Sequence, residues 1–199
     1  MLLSELITEL QYRVEDDSAN YRFPEDQKID AINNAYYTLL SIIDDKSLSK
    51  LKLTKTTVPL TLDNDSGFMY YRFVGNSPLR VANARANGVE CQIVSKDELF
   101  SKSTRYKYGT LVSVCKNYSP YSDYTAIYVT PITVSSIILW YTQEVEGIEL
   151  RNEYPITEIL KPVLLGLAES ELWRSDNANS RAKEAYAEAI NILQAQEGK

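Results

Sequence analysis

The stretch FPEDQKIDAINNAYYTLLSIID, Phe23 to Asp44, decides how this chain is read. Its apolar residues Ile29, Ile32, Tyr36, Leu39 and Ile43 recur at steps of three and four, the spacing of one helical face. Pro24 opens the segment with a φ already set for a helix start. Glu25 and Asp26 follow where negative charge meets the positive end of the helix dipole. Burying the stripe contributes about 1.5–3 kcal/mol per side chain before entropy costs. A pair of amides, Asn33 and Asn34, sits at the centre of this helix, where a plain core helix has no need of them.

Upstream, residues 2–14 fit a shorter helix. Leu3, Leu6, Leu10 and Val14 share a face, joined by Leu2 and Ile7. Downstream of residue 50 the pattern changes to β-branched and aromatic runs. TKTTVPLTL and GFMYYRFV read as strands joined by the turn DNDSG. PLRVANAR and GVECQIVS read as strands joined at Asn87-Gly88, a pair that tolerates φ > 0 and marks a tight hairpin. KDELFSK fits one helical turn, and TLVSVCKN, YTAIYVTP and VSSIILWYTQE supply three more strands. Connections this short predict an antiparallel meander. Helices return at ITEILKPVLLGLAESELW, with a stripe at Ile159, Val163, Leu167 and Leu172, and Thr157 as its cap. Pro162 either stands near the helix start or kinks the helix. In RAKEAYAEAINILQAQ, Ala182, Ala185, Ala189, Ile190 and Leu193 line one face with Tyr186 among them. The alanines leave room for close helix approach.

The expected fold is therefore α+β. An antiparallel four-helix bundle from the N- and C-terminal helices (1–50 and 155–199) carries an inserted antiparallel β-strand domain (51–154), all within a single domain, 1–199.

Net charge is −6, unevenly spread. Residues 1–50 hold ten acids against five bases, residues 51–143 six against ten, and residues 144–199 eleven against six. Acidic ends thus flank a basic middle, a layout suited to copies meeting through opposite charges. No run is long enough to span a bilayer. The start, MLLSELITELQYRVEDD, is interrupted by Glu5 and Glu9 and makes a poor secretory signal, so the expectation is a soluble product of the cytosol. Cys91 and Cys115 form no C-x-x-C pair and read as reduced, buried thiols.

With no histidine in 199 residues, the usual general base, the Ser-His-Asp triad and H-E-x-x-H metal sites are all excluded. No glycine-rich phosphate loop is present. DNDSG places Asp63 and Asp65 like alternate calcium ligands, but its glycine falls one place early and Val74 occupies the twelfth position. A hairpin turn is the better reading. Asp16-Asp17 and Asp44-Asp45 read as solvated loop charge rather than a catalytic carboxylate pair. We expect no catalytic residues, no cofactor and no metal. Tyrosine is abundant at 15 copies. Tyr106, Tyr108, Tyr118, Tyr121 and Tyr124 cluster around Arg105, Lys107 and Lys116. Such a cluster builds protein interfaces, lines ordinary strand faces and loops or, as the alternative function, makes a single-stranded nucleic-acid-binding module on the basic central strands.

Four stretches, taken in order, resemble the head–tail adaptor (connector) proteins of tailed bacteriophages. YRFPEDQKIDAINNAYYTLL (21–40) is similar to that family's aromatic, acidic start and "LN-x-A" helix. PLRVANARANGVECQIVSKDEL (78–99) resembles its strand, NG turn, strand and "S-x-x-E-L" segment. YTAIYVTPITVSSIILWY (124–141) resembles its recurrent hairpin, and Tyr154–Leu193 its closing helix pair. The resemblance implies a virion structural protein without catalysis, made in the host cytoplasm and placed at the neck between capsid and tail. It implies a homo-oligomeric ring of about twelve copies docked on the portal protein, with tail or further neck proteins below. Genomic DNA passes through the lumen without sequence-specific binding, which a net acidic protein suits, and no membrane is involved. On that reading Asn33 and Asn34 bond loop backbone where a bundle helix meets the inserted block. Partner-binding residues are expected at Tyr118, Tyr121 and Tyr124, near a loop tip, and at Tyr186, Ile190 and Leu193, against a bundle neighbour or the portal.

Overall fold

A computed structural model describes residues 1–15, 22–64, 66–73, 78–102, 110–117, 124–145 and 147–197. The chain forms two compact units, one from Met1–Lys52 with Val145–Lys199, the other from Leu53–Glu144.

The first unit holds α1 (Leu3–Arg13), α2 (Glu25–Ile42), a 3-10 turn (Ser47–Lys50) and two later helices, Lys161–Ser175 and Asn179–Glu197. Helix α2 begins directly after Pro24, with Glu25 and Asp26 in its first turn. Its stripe residues Ile32, Tyr36, Leu39 and Ile43 are buried, while Ile29 is half-buried. In α1, Leu3, Leu6, Leu10 and Val14 are buried. The start of α1 is tied to distant backbone. The Leu3 N–H donates to the Asn152 carbonyl at 3.2 Å and the Ser4 N–H to Leu150 at 3.1 Å, while the Tyr154 N–H donates to the Met1 carbonyl at 2.9 Å. These bonds satisfy donors that a helix start otherwise leaves orphaned.

The second unit holds β1 (Thr54–Pro59), β2 (Thr61–Leu62), β3 (Met69–Arg72), β4 (Pro78–Ala86), β5 (Val89–Glu90), β6 (Gln92–Ile93), α3 (Lys96–Lys102), β7 (Leu111–Asn117), β8 (Tyr124–Thr130) and β9 (Ser136–Gln143). The two C-terminal helices are accordingly α4 (Lys161–Ser175) and α5 (Asn179–Glu197). The strands form two sheets, β1-β9-β4-β5 and β2-β3-β8-β7-β6. Between them lies a core that includes Val58, Ala84, Ile127, Val129, Ile137, Leu139 and Tyr141. The opposite face of the second sheet packs Ala126 and Tyr128 with Leu99 of α3, Phe68 and Leu111. Strand β8 thus alternates between two apolar layers, and Thr125 to Thr130 are buried without a break. Asn87 and Gly88, with φ of 52° and 80°, turn β4 into β5 as their sequence predicts. Between β2 and β3 the Gly67 N–H donates to the Asp63 carbonyl at 2.8 Å, a turn contact; Asp65 lies outside the described residues.

The expected four-helix bundle carrying an inserted antiparallel domain is not the fold observed. Among the described residues there are five α-helices and nine strands in two sheets, and one of the helices, α3, lies among the strands. Helix α4 is central in the first unit. It packs on α2 and α5, with α1 against α2 and α4, whereas α5 makes no comparably extensive packing with α1 or α2. The physical reason is that Val163 to Ala168 are buried on every side. A helix apolar all round is a core helix, not one staff of an amphipathic bundle. Nor are the strands a simple antiparallel meander, because β6 pairs with β7 in parallel. Val94 to Thr110, including α3, provides the dozen or more residues such a crossover needs. The chain also changes sheets at Leu60, between β1 and β2.

Two smaller expectations change as well. Pro162 stands in the first turn of α4, so that helix begins at Lys161, later than its apolar stripe. Ile159 therefore lies outside the helix and is exposed. Thr157 does not cap α4; its hydroxyl donates to the Lys50 carbonyl.

Candidate partner interface

The helix α5 face toward α4 is built from small residues. Ala182, Ala185 and Ala189 are buried, and a Cβ at Gly166 of α4 would stand 3.0 Å from the Ala189 Cβ. The Ser170 hydroxyl donates to the Ala182 carbonyl at 2.8 Å, closing the same seam. Leu193 continues the buried face and Ile190 is half-buried beside it, whereas Tyr186 is exposed. Tyr186 borders a surface cavity of about 240 Å³, together with Arg174, Asn179, Ala182 and Lys183. Nearby, Arg181 lies 4.7 Å and Arg22 5.2 Å from the Trp173 ring centroid, and Arg22 pairs with Asp176. Of the three α5 residues singled out by sequence, Tyr186 is the exposed one, at 38%.

Of the second group, Tyr118 and Tyr121 lie outside the described residues. Tyr124 opens β8, its backbone paired with Asn117 of β7. It belongs to the second unit, while Tyr186, Ile190 and Leu193 belong to the first. Asn33 does not bond a loop backbone; its Oδ1 accepts from the Tyr154 hydroxyl at 3.1 Å, and Asn34 is exposed.

Sequence inspection missed a surface on the first sheet. Side chains alternate along β9, so Ile137, Leu139 and Tyr141 enter the core while Trp140 points the other way. The register sets Lys55 of β1 opposite Trp140 on one side and Asn83 of β4 on the other. Lys55 Nζ lies 5.3 Å and Arg85 Cζ 5.8 Å from the Trp140 ring centroid. This grouping draws on three strands far apart in sequence, which is why no local motif announced it.

Exposed apolar side chains collect at the sheet margins. Leu62 of β2, Val89 of β5 and Ile93 of β6 are 49%, 68% and 41% exposed, each on a terminal strand. Ile132, in the turn between β8 and β9, is also exposed.

Titratable groups show no acid–base pairing of a catalytic kind among the described residues. Burial pushes the Tyr36 and Tyr154 phenols well above the usual tyrosine value, and burial raises the Cys91 thiol, which is free. The Cys115 side chain lies outside the described set. Among the described residues no group of three or more acidic or cysteine side chains is placed to hold a metal ion. No described helix is long and apolar enough to cross a membrane. Comparison with known protein families and with curated proteins gives no match in either case.

Proposed function

We propose that this chain is a structural subunit of a tailed-phage neck, an adaptor that assembles as a ring beneath the portal and joins capsid to tail. The observation that carries the proposal is that three terminal strands each expose an apolar side chain, Leu62 on β2, Val89 on β5 and Ile93 on β6. Isolated monomers usually blunt such margins, and here a neighbouring copy would cover them. The ordered resemblance of four sequence stretches to phage adaptors supports the same reading, as does the alternation of acidic and basic segments. The proposal assigns no catalysis: the side chains it uses are apolar and aromatic contact groups. Tyr186, on the rim of its cavity, is the contact assigned to the first unit.

Negative-stain imaging of the chain mixed with its cognate portal tests the proposal. A collar on the portal is expected, together with peptides of this chain in purified virions. Absence of any ring or collar across the accessible concentration range would overturn it. Val89→Asp and Ile93→Asp, both at exposed sites, should leave the fold intact and abolish the collar.

A further inference from the structure

The outer face of the first sheet carries two cations around one indole. Lys55 and Arg85 are exposed, Trp140 is half-buried between them, and neither cation has a carboxylate partner among the described residues. Glu90, opposite Arg85 in the register, accepts from the Asn83 amide at 3.0 Å. Exposed Thr57 and Pro59 extend the same surface along β1.

The complementary charge lies in the other unit. Leu53–Glu144 holds nine Lys and Arg against seven Asp and Glu, whereas the remaining residues hold twelve against twenty. In that acidic unit, α2 presents Asp26, Asp30 and Asn34 at steps of four, all exposed, and the two aspartates have no cationic partner among the described residues. Two strand spacings, about 10 Å, separate β1 from β4, and four helical residues separate Asp26 from Asp30 by about 6 Å. Lysine and arginine stems are long enough to span that difference.

We infer that the sheet face centred on Lys55, Trp140 and Arg85 docks on the acidic outer face of α2, at Asp26, Asp30 and Asn34, of a neighbouring copy of this chain. The inference rests on the adaptor reading and specifies the contact between its subunits. Because two different patches meet, the contact is head-to-tail, the class that gives a ring where the rotation between copies closes and an open filament where it does not. Nucleic acid fits this face less well. Lys55 and Arg85 lie over the indole and occupy the ring surface on which a base would stack. Two cations on a chain of net charge −6 also make a poor phosphate track.

Sedimentation velocity of the full chain, alone and with portal, tests this on Lys55→Glu/Arg85→Glu, on Asp26→Lys/Asp30→Lys and on the four changes combined, with circular dichroism confirming that each folds. Each double variant should weaken self-association about tenfold or more, and the combined variant should regain it. If the parent assembles and Lys55→Glu/Arg85→Glu assembles equally well, this contact is wrong while the adaptor reading stands. If the parent neither self-associates nor forms a collar, the adaptor reading itself falls. Unchanged assembly with loss of binding to a fluorescent oligothymidylate would make the face a nucleic-acid surface and overturn the inference.

Discussion

The Tyr154 hydroxyl donates to Asn33 Oδ1 at 3.1 Å and lies 3.3 Å from the Ile32 carbonyl oxygen, joining the segment before α4 to the middle of α2. Its ring meets Tyr36 edge-on, with centroids 5.6 Å apart. The paired tyrosines differ in one respect: the Tyr36 hydroxyl is buried and has no hydrogen-bond partner among the described residues. Replacing Tyr154 by Phe takes the hydroxyl donor away from Asn33 Oδ1 and should cost about 1–3 kcal/mol. Replacing Tyr36 by Phe removes an unpaired hydroxyl and should be neutral or slightly stabilising. Urea unfolding midpoints of the two variants decide the matter; equal losses would contradict the assignment.

High pH should destabilise the first unit through the same pair. Burial raises both phenols above their ordinary value, so the folded chain keeps protons that the unfolded chain releases near pH 10. The stability they contribute is complete below about pH 10 and declines as pH rises toward the folded values. Thermal midpoints measured from pH 8 to pH 11.5 should fall in the upper part of this range, less steeply in Tyr36→Phe.

Gly166→Ala probes the seam between α4 and α5. The new methyl would stand 3.0 Å from the Ala189 Cβ and 3.5 Å from the Ala185 carbonyl oxygen. Overpacking of this kind costs about 1–3 kcal/mol even though alanine is the better helix former. Combining it with Ala189→Gly restores the space, so the two changes should couple favourably in a double-mutant cycle. Strict additivity would show that the helices are not in close contact there.

At low pH the region after α2 should weaken. Hydrogen bonds from the Ser47 hydroxyl and amide hold Asp44 below the usual carboxylate range, and the Ser47 N–H lies 2.6 Å from Asp44 Oδ1. Lys52 does the same for Glu153. Both folded values are depressed, so their contribution is present above about pH 4 and is lost as pH falls through the lowered values. Asp44→Asn should lower stability at pH 7 and flatten the acid limb of the stability curve measured by circular dichroism, with little change at the acid end.

Local signals in the sequence marked α2, the Asn87-Gly88 turn and most strand segments, because each depends on residues within one or two turns of chain. Pairing depends on residues far apart, and there the sequence was silent. β1 lies beside β9, Lys55 opposite Trp140, without any neighbouring residue to indicate it. The partner of Asn33 is 121 residues away, so its role was not legible from the helix that carries it. The apolar run of α4 is visible in the sequence, but a single-stripe reading misses that Val163 to Ala168 are buried on every side, and it predicts the wrong helical arrangement. Of the residues proposed for contact, Tyr186 is legible as an exposed aromatic on a helix with an alanine face. The Trp140 surface needs three-strand register to exist.

Because the first unit draws on both Met1–Lys52 and Val145–Lys199, the order of synthesis matters. On the ribosome, Leu53–Glu144 emerges whole while α1 and α2 still await the carbonyls of Leu150 and Asn152 and the bulk of α4. The nascent α1 and α2 therefore hold the apolar faces that pack on α4 uncovered until Lys161–Ser175 has been made, and apolar surface exposed in this way is prone to aggregation.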